Sequence, residues 1–381
     1  MSAVKEPLRI TIVQGPYYPV PALLNSGAEK VWLGLGQEFA RRGHRVTQIS
    51  RRYPGLPWTE RIEGVAHLRL PSRDAPRRKL WYRAYDLIYS WRALRALPAD
   101  ANLVVTNCIW LPVLMRGRNG RRLYVHVARY PKNQMRLYRH AARLQAVSSA
   151  VATAIERELP EARERIVTIP PYLSNQPRVI TDDRSFAERE QRILYLGRVH
   201  PEKGVHLLVK AFADLSFPGW TLEVAGSHEI RYGGGGENYL RRLREESRHS
   251  KSPVSFTGML PEELLNDRYR RSSLLTYPSL AEKGESFGMV PLEAMACGCP
   301  AVVSDLACFR DFLVPEENGF VFDHRAADPV KSLRAVLKRV MRDRPARMGA
   351  ARAGYATARN YTLDKVATRY LEDFEKVVAK I

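Results

Sequence analysis

The apolar positions along the chain alternate between two periods. Leu8–Val13 reads as a strand, and a loop rich in glycine and proline runs from Gly15 to Gly27. Glu29–Arg42 then places Val31, Leu35 and Phe39 at helical spacing, Gly43 ends that helix, and Arg45–Ser50 is again strand-like. Strand, helix, strand in this order predicts a parallel sheet. Further strand patterns fall at Leu103–Thr106, Leu123–Val127, Leu144–Val147 and Ile166–Ile169. A polar stretch with mixed charges and little periodicity, Pro177–Gln191, predicts a boundary. The alternation then resumes, with strands at Arg192–Gly197, Trp220–Gly226, Val254–Gly258, Ser273–Tyr277 and Pro300–Ser304, and a helix over Gly204–Leu215. Leu363–Ile381 predicts an amphipathic helix. The expected architecture is α/β, with Rossmann-like doubly wound domains over 1–183 and 184–358 and a terminal helix over 359–381. Such domains bind ligands at the carboxyl ends of their strands, here in a cleft between the two.

Composition agrees with this pattern. The 381 residues exceed one ordinary core, and 45% are hydrophobic. No apolar run reaches the roughly 18 residues that span a bilayer. The first residues lack the apolar region and cleavage site of a signal peptide, so a cytoplasmic location is expected. Cys108, Cys297, Cys299 and Cys308 form neither a zinc pattern nor a Cys-x-x-Cys pair and read as reduced, structural thiols.

Charge changes the picture more. The net charge is +21, which points to nucleic acid, an anionic membrane surface or a polyanionic substrate. The cations are spread along the chain, and no zinc-finger spacing or RNA-recognition signature accompanies them, so no nucleic acid is expected. One stretch, Arg77–Arg95, is basic, aromatic and helix-compatible. It fits an ordinary packed helix, a helix lining an acceptor cleft, or a helix at a membrane interface.

The candidate chemistry concentrates in Gly284-Glu-Ser-Phe-Gly-Met-Val-Pro-Leu-Glu-Ala-Met-Ala-Cys-Gly298. Gly284 and Gly288 bracket a turn, and Pro291 suits the first turn of the helix that follows. Glu285 would project from the loop and Glu293 from the helix. The unpaired amides between them make an anion site, and the two carboxylates can accept hydrogen bonds from hydroxyls. Upstream, Gly197-Arg-Val-His-Pro-Glu-Lys-Gly204 follows a strand and opens a helix. Arg198 and Lys203 there can neutralise a diphosphate.

These two strings together closely resemble the signature of the retaining glycosyltransferase family 4, enzymes of the GT-B fold. The resemblance implies a C-terminal helix that packs back on the first domain. It implies Arg198 and Lys203 on the donor diphosphate, Glu293 on the ribose hydroxyls and Glu285 on the donor sugar. Ser286, Phe287, Gly288, Met289 and Val290 would face phosphate and sugar through their backbone. Thr257–Pro261, with Met259 and Leu260, resembles the segment that cups the base. Asn25-Ser-Gly-Ala-Glu29 matches the family's Gly-Gly-x-Glu loop in part, with Gly27 at its second glycine and Ser26 in place of the first. His126 resembles the histidine near the reacting sugar, and Arg129, Tyr130 and Lys132 follow it. The implied catalytic set is Glu285, His126, Arg198 and Lys203.

The implied reaction moves a hexose, with retention and without metal or cofactor, from a nucleotide diphosphate sugar to an acceptor hydroxyl. The donor serves as co-substrate, with UDP the expected carrier. A glycan, a lipid-linked molecule or a small molecule would accept the sugar, and peripheral contact with an anionic membrane at its inner face is a further expectation. Two other readings stand beside this one: a GT-B sugar-nucleotide epimerase, and a non-enzymatic basic module for membranes or nucleic acid. The Gly233–Gly236 run reads as a mobile loop or surface connection.

Overall fold

Short runs of buried aliphatic side chains set the strands, as parallel sheets covered on both faces require. In the computed structural model the described residues are 6–23, 27–174 and 188–380. The chain divides into two compact units, Met1–Ser174 with Thr362–Ile381, and Asn175–Tyr361.

The first unit runs β1 (Arg9–Val13), α1 (Gly27–Arg41), β2 (Arg45–Arg51), β3 (Thr59–Ile62), β4 (Val65–Leu70), α2 (Lys79–Arg95), β5 (Leu103–Thr106), α3 (Leu111–Leu114), β6 (Leu123–Val127), β7 (Arg143–Ala146), α4 (Ser149–Glu158) and β8 (Ile166–Thr168). Its eight strands lie in the order β3-β4-β2-β1-β5-β6-β7-β8. All pairings are parallel except β3 with β4. Every residue of β5 and β6 is buried. Ser148 starts α4 by accepting the Val151 N–H at 3.2 Å, a normal N-cap.

The second unit runs β9 (Glu190–Leu196), α5 (Val205–Ala213), β10 (Thr221–Ala225), α6 (Glu237–Ser247), β11 (Val254–Gly258), α7 (Glu262–Arg271), β12 (Ser272–Tyr277), α8 (Met289–Ala296), β13 (Ala301–Ser304), β14 (Phe320–Phe322), α9 (Pro329–Arg342) and α10 (Arg344–Ala358). Its order is β11-β10-β9-β12-β13-β14, parallel throughout. Asp328 and Asp343 cap α9 and α10.

The last helix, α11 (Leu363–Val378), belongs to the first unit. Its Val366, Tyr370, Phe374 and Val377 enter the core formed by Ile10, Trp32, Phe39 and Tyr124. Asp373 is buried beside them. It accepts from the Tyr124 hydroxyl at 2.9 Å and from Arg143 at 2.7 Å.

The predicted strands are present, with β9 starting two residues earlier than the pattern indicates, at Glu190. The pattern misses β3, β4 and β14 and the helices α3, α4, α6, α7, α9 and α10. The predicted boundary at 183/184 lies outside the described residues, as do Asn25 and Ser26. The Gly233–Gly236 run is an ordered connection and not a loose one. Gly234 and Gly236 donate to Glu229 and His228 carbonyls at 2.9 and 2.7 Å, and Gly235 donates to the Val199 carbonyl at 2.9 Å.

Candidate functional site

In each sheet the connections reverse direction at one point, and a doubly wound sheet opens a crevice there at its carboxyl edge. In the second unit this point lies between β9 and β12. The loop after β9 carries Arg198 and Lys203, and the loop after β12 carries Glu285 and leads into α8. Gly204 lets the two loops approach. Its φ is +67°, and a Cβ there would lie 1.9 Å from the Pro278 carbonyl oxygen. The Glu202 carbonyl accepts from the Leu280 N–H at 2.8 Å across the same contact.

This approach places Lys203 Nζ 2.6 Å from Glu285 Oε2, with both side chains largely buried. The Tyr277 hydroxyl donates to the same oxygen at 3.1 Å, and Lys203 Nζ lies 5.5 Å from the Tyr277 ring centre. Burial, reinforced by the Glu285 charge, pushes the Tyr277 phenol well above its ordinary range, so it remains a donor. Arg198 is exposed and tied differently. It pairs with Glu202 and donates to the Gly233 carbonyl at 2.7 Å.

The turn into α8 depends on Gly288. Its φ is +92°, and a Cβ would meet the Phe309 ring at 2.3 Å. Phe287 is buried against Phe312 and Tyr361, so this residue offers only its backbone. Ser286, Met289 and Val290 are half-buried around the helix start, where first-turn amides lack intrahelical partners. Glu293 accepts from the Tyr269 hydroxyl at 3.0 Å. Met259 is exposed and Leu260 half-buried, just beyond the carboxyl end of β11.

Gly27 and His126 belong to the first unit. Gly27 is the exposed first residue of α1, with open space where a Cβ would be. His126, the penultimate residue of β6, lines a cavity of about 270 Å³ at the carboxyl ends of β1, β5 and β6. Gln145 fixes its tautomer. The Gln145 amide nitrogen donates to the Ala146 and Ile169 carbonyls at 2.7 Å, so Gln145 Oε1 faces His126 Nδ1 as acceptor. Nδ1 therefore holds the proton and Nε2 the lone pair. Burial pushes the imidazole down to about 4, so at neutral pH it offers hydrogen bonding without charge.

The cavity gathers residues that sequence reasoning did not assign. Tyr17 and Tyr82 stack at 4.2 Å and both line it. Asp86, buried on α2, accepts from the Ile109 and Trp110 amides at 3.1 and 3.0 Å. Glu29 Oε2 and Asn107 Oδ1 are buried in the wall with no hydrogen-bond partner among the described residues. Such orphaned atoms point to a polar ligand or ordered water. Burial raises the Glu29 carboxyl, and the Arg129 charge opposes this. Arg129 and Tyr130 line the cavity, while Lys132 does not. One signal was available in the sequence: Asp86 is the single acid in an otherwise basic helix.

Residues 179–357 match the family Glycosyl transferases group 1, and residues 25–173 match Glycosyltransferase Family 4. The chain is 25% identical to the lipopolysaccharide 1,2-N-acetylglucosaminetransferase of Salmonella typhimurium over 77% of this chain and 79% of that one. Further relatives are matched over about half of their own length. Among solved structures, sucrose-phosphate synthase of Thermosynechococcus elongatus superposes with a TM-score of 0.79 at 20% identity, covering 98% of this chain and 100% of that one. Anabaena HepE, solved in complex with UDP and glucose, gives 0.67 at 15% identity, covering 97% and 99%. At these identities the structural likenesses carry the fold alone.

Proposed function

The chain belongs to the glycosyltransferases of group 1 and family 4, with the GT-B fold, and from that premise we propose that it moves a hexose, with retention and without a metal ion, from UDP to an acceptor hydroxyl. The observation that carries this reading is the meeting of Lys203 and Glu285 at 2.6 Å where the strand order of the second sheet reverses, beside the start of α8.

As the bond from the sugar's anomeric carbon to the β-phosphate oxygen breaks, negative charge grows on that oxygen. Lys203, Arg198 and the first-turn amides of α8 would stabilise it. These groups supply positive charge without a divalent ion. Glu285 is already held through Oε2 by a cation and a phenol, which leaves Oε1 to accept from a sugar hydroxyl. Glu293, oriented by Tyr269, would take the ribose hydroxyls, and the backbone at Met259 and Leu260 would border the base. The acceptor oxygen bonds to the anomeric carbon on the face the phosphate leaves, and its proton passes to that phosphate.

The Tyr17–Tyr82 cavity would hold the acceptor. Stacked rings suit the apolar face of a sugar, and the orphaned Glu29 and Asn107 oxygens suit its hydroxyls. His126 Nε2 adds an acceptor. A glycan carried on a lipid is the acceptor we favour, as the name of the Salmonella relative suggests. Among the described residues no helix is long and apolar enough to cross a membrane, and we place the protein peripherally at the cytoplasmic face.

Calorimetric titration with UDP, GDP and ADP, each with and without EDTA, tests the donor half. Selective UDP binding that survives EDTA and is lost in Arg198→Ala is expected. Binding abolished by EDTA would overturn metal independence, and failure of all three nucleotides would overturn the donor site. An NMR spectrum of the product against the donor's anomeric configuration tests retention.

A further inference from the structure

Helix α2 is built the wrong way round for a surface helix. Its buried positions are Asp86, Tyr89, Ser90 and Ala93. Its outer face carries Leu80, 76% exposed, and Trp81, Leu87, Ile88 and Trp91, between 41% and 51% exposed. Leu80, Leu87, Ile88 and Trp91 stand at i, i+7, i+8 and i+11, so they form one stripe along the helix. Single exposed apolar residues are ordinary, whereas a continuous stripe marks a contact surface.

The border of the stripe identifies what covers it. Arg77, Arg78 and Lys79 are exposed where the helix begins, and Arg83 and Arg95 are exposed along it. The Arg95 guanidinium lies 3.7 Å from the Trp91 ring centre, joining charge and apolar surface in one patch. The helix's only acid, Asp86, faces inward and is occupied by backbone amides. The outward surface therefore offers apolar rings and cations and, from the helix itself, no carboxylate. A second copy of this chain docked face to face would set arginine against arginine. An anionic bilayer satisfies both halves, with tryptophan rings at the interface and cations among the headgroups.

We propose that α2 is a membrane-docking helix that lies in the headgroup layer of an anionic phospholipid bilayer. The same helix contributes Tyr82 and Asp86 to the cavity described above. Docking would then bring the cavity wall to headgroup level, where the sugar of a lipid-linked acceptor sits. This last step rests on reading the cavity as the acceptor site; the docking itself does not.

The test is flotation of the full chain with vesicles of phosphatidylcholine alone and of phosphatidylcholine mixed with phosphatidylglycerol. Binding to the anionic vesicles only, reversed by high salt, is expected. The double variant Trp81→Ser, Trp91→Ser should lower the partition coefficient about tenfold or more. Arg77→Gln and Arg78→Gln should each lower it about fivefold. All four side chains are exposed, so circular dichroism melts should match the parent. Failure of the parent to float, or equal flotation of the tryptophan variant, overturns the proposal. So does analytical ultracentrifugation showing a dimer that the tryptophan variant abolishes. Titration of the same proteins with UDP separates the two readings: flotation without UDP binding sinks the donor site and leaves the docking helix, and the reverse result does the opposite.

Discussion

Lys203 and Glu285 each have a partner before any substrate arrives, and this sets what their substitutions should do. Lys203→Ala removes the point charge proposed for the diphosphate and leaves Glu285 with the Tyr277 hydroxyl alone. Charge-assisted contacts of this kind contribute about 1.5–3 kcal/mol. UDP affinity should therefore fall about 10- to 100-fold, as read by calorimetry. Glu285→Gln keeps the shape and an oxygen for Tyr277, so UDP should still bind while turnover drops. Wild-type turnover in that variant would remove Glu285 from the mechanism. His126 makes a different prediction. Its folded pKa of about 4 lies below the ordinary 6.5. Between those values the unfolded chain takes a proton that the folded chain refuses, so this contribution is full above about 6.5 and is lost as pH falls toward 4. From pH 7 to pH 5 the loss from this one group is about 2 kcal/mol. His126→Asn retains a donor toward Gln145 and should flatten the urea-unfolding profile over that range by this amount. Parallel profiles would mean that the imidazole already titrates normally in the folded protein.

The helix α8 is only as well placed as the turn before it. Gly288→Ala would force a side chain into the left-handed region and onto Phe309 at 2.3 Å. Strain and overpacking of this kind cost about 2–4 kcal/mol together, so thermal unfolding should come earlier and UDP binding should weaken with it. A variant as stable as the parent would show that the turn tolerates a Cβ. This element was readable before the fold was known, because its glycines, proline and glutamates are contiguous and each has a local backbone reason. The central strands were readable for a related reason, since strands buried on both faces are near-continuous apolar runs. The β3–β4 hairpin was not. Residues Thr59–Ile62 are an edge strand without buried positions, and Val65–Leu70 buries His67 and Arg69. Arg69 is tolerated there because it pairs with Glu60 and donates to the Val20 and Pro57 carbonyls, partners that no local pattern announces. The cavity was illegible for the same cause. Tyr17, Tyr82, Asn107 and His126 come from four separate segments, and only the sheet's strand order brings them to one edge.

At the scale of the whole chain, the first unit is discontinuous and the second is not. Residues Met1–Ser174 acquire α11 only after the chain has passed through the second unit. That helix inserts Val366, Tyr370, Leu371, Phe374 and Val377 into a core containing Trp32, Phe39 and Tyr124. Burial of each large apolar side chain stabilises by about 1.5–3 kcal/mol, so five of them contribute on the order of 10 kcal/mol. This matches the entire stability of a typical domain, about 5–15 kcal/mol. Asp373 adds to the dependence, because its removal leaves the half-buried Arg143 without its carboxylate. Deletion of 362–381 should therefore unfold the first unit, exposing the amides of β5 and β6 to rapid hydrogen exchange. The second unit, Asn175–Tyr361, keeps its own sheet and all the residues proposed to hold the donor. It should retain slow exchange in β9 and β12 and bind UDP, while transfer to any acceptor is lost. Hydrogen-exchange mass spectrometry with and without UDP reads both halves of this prediction. Protected β5 and β6 amides in the truncated chain would show that the first sheet stands without α11. Loss of UDP binding would show that the donor site depends on the first unit as well as on Lys203, Glu285 and the start of α8.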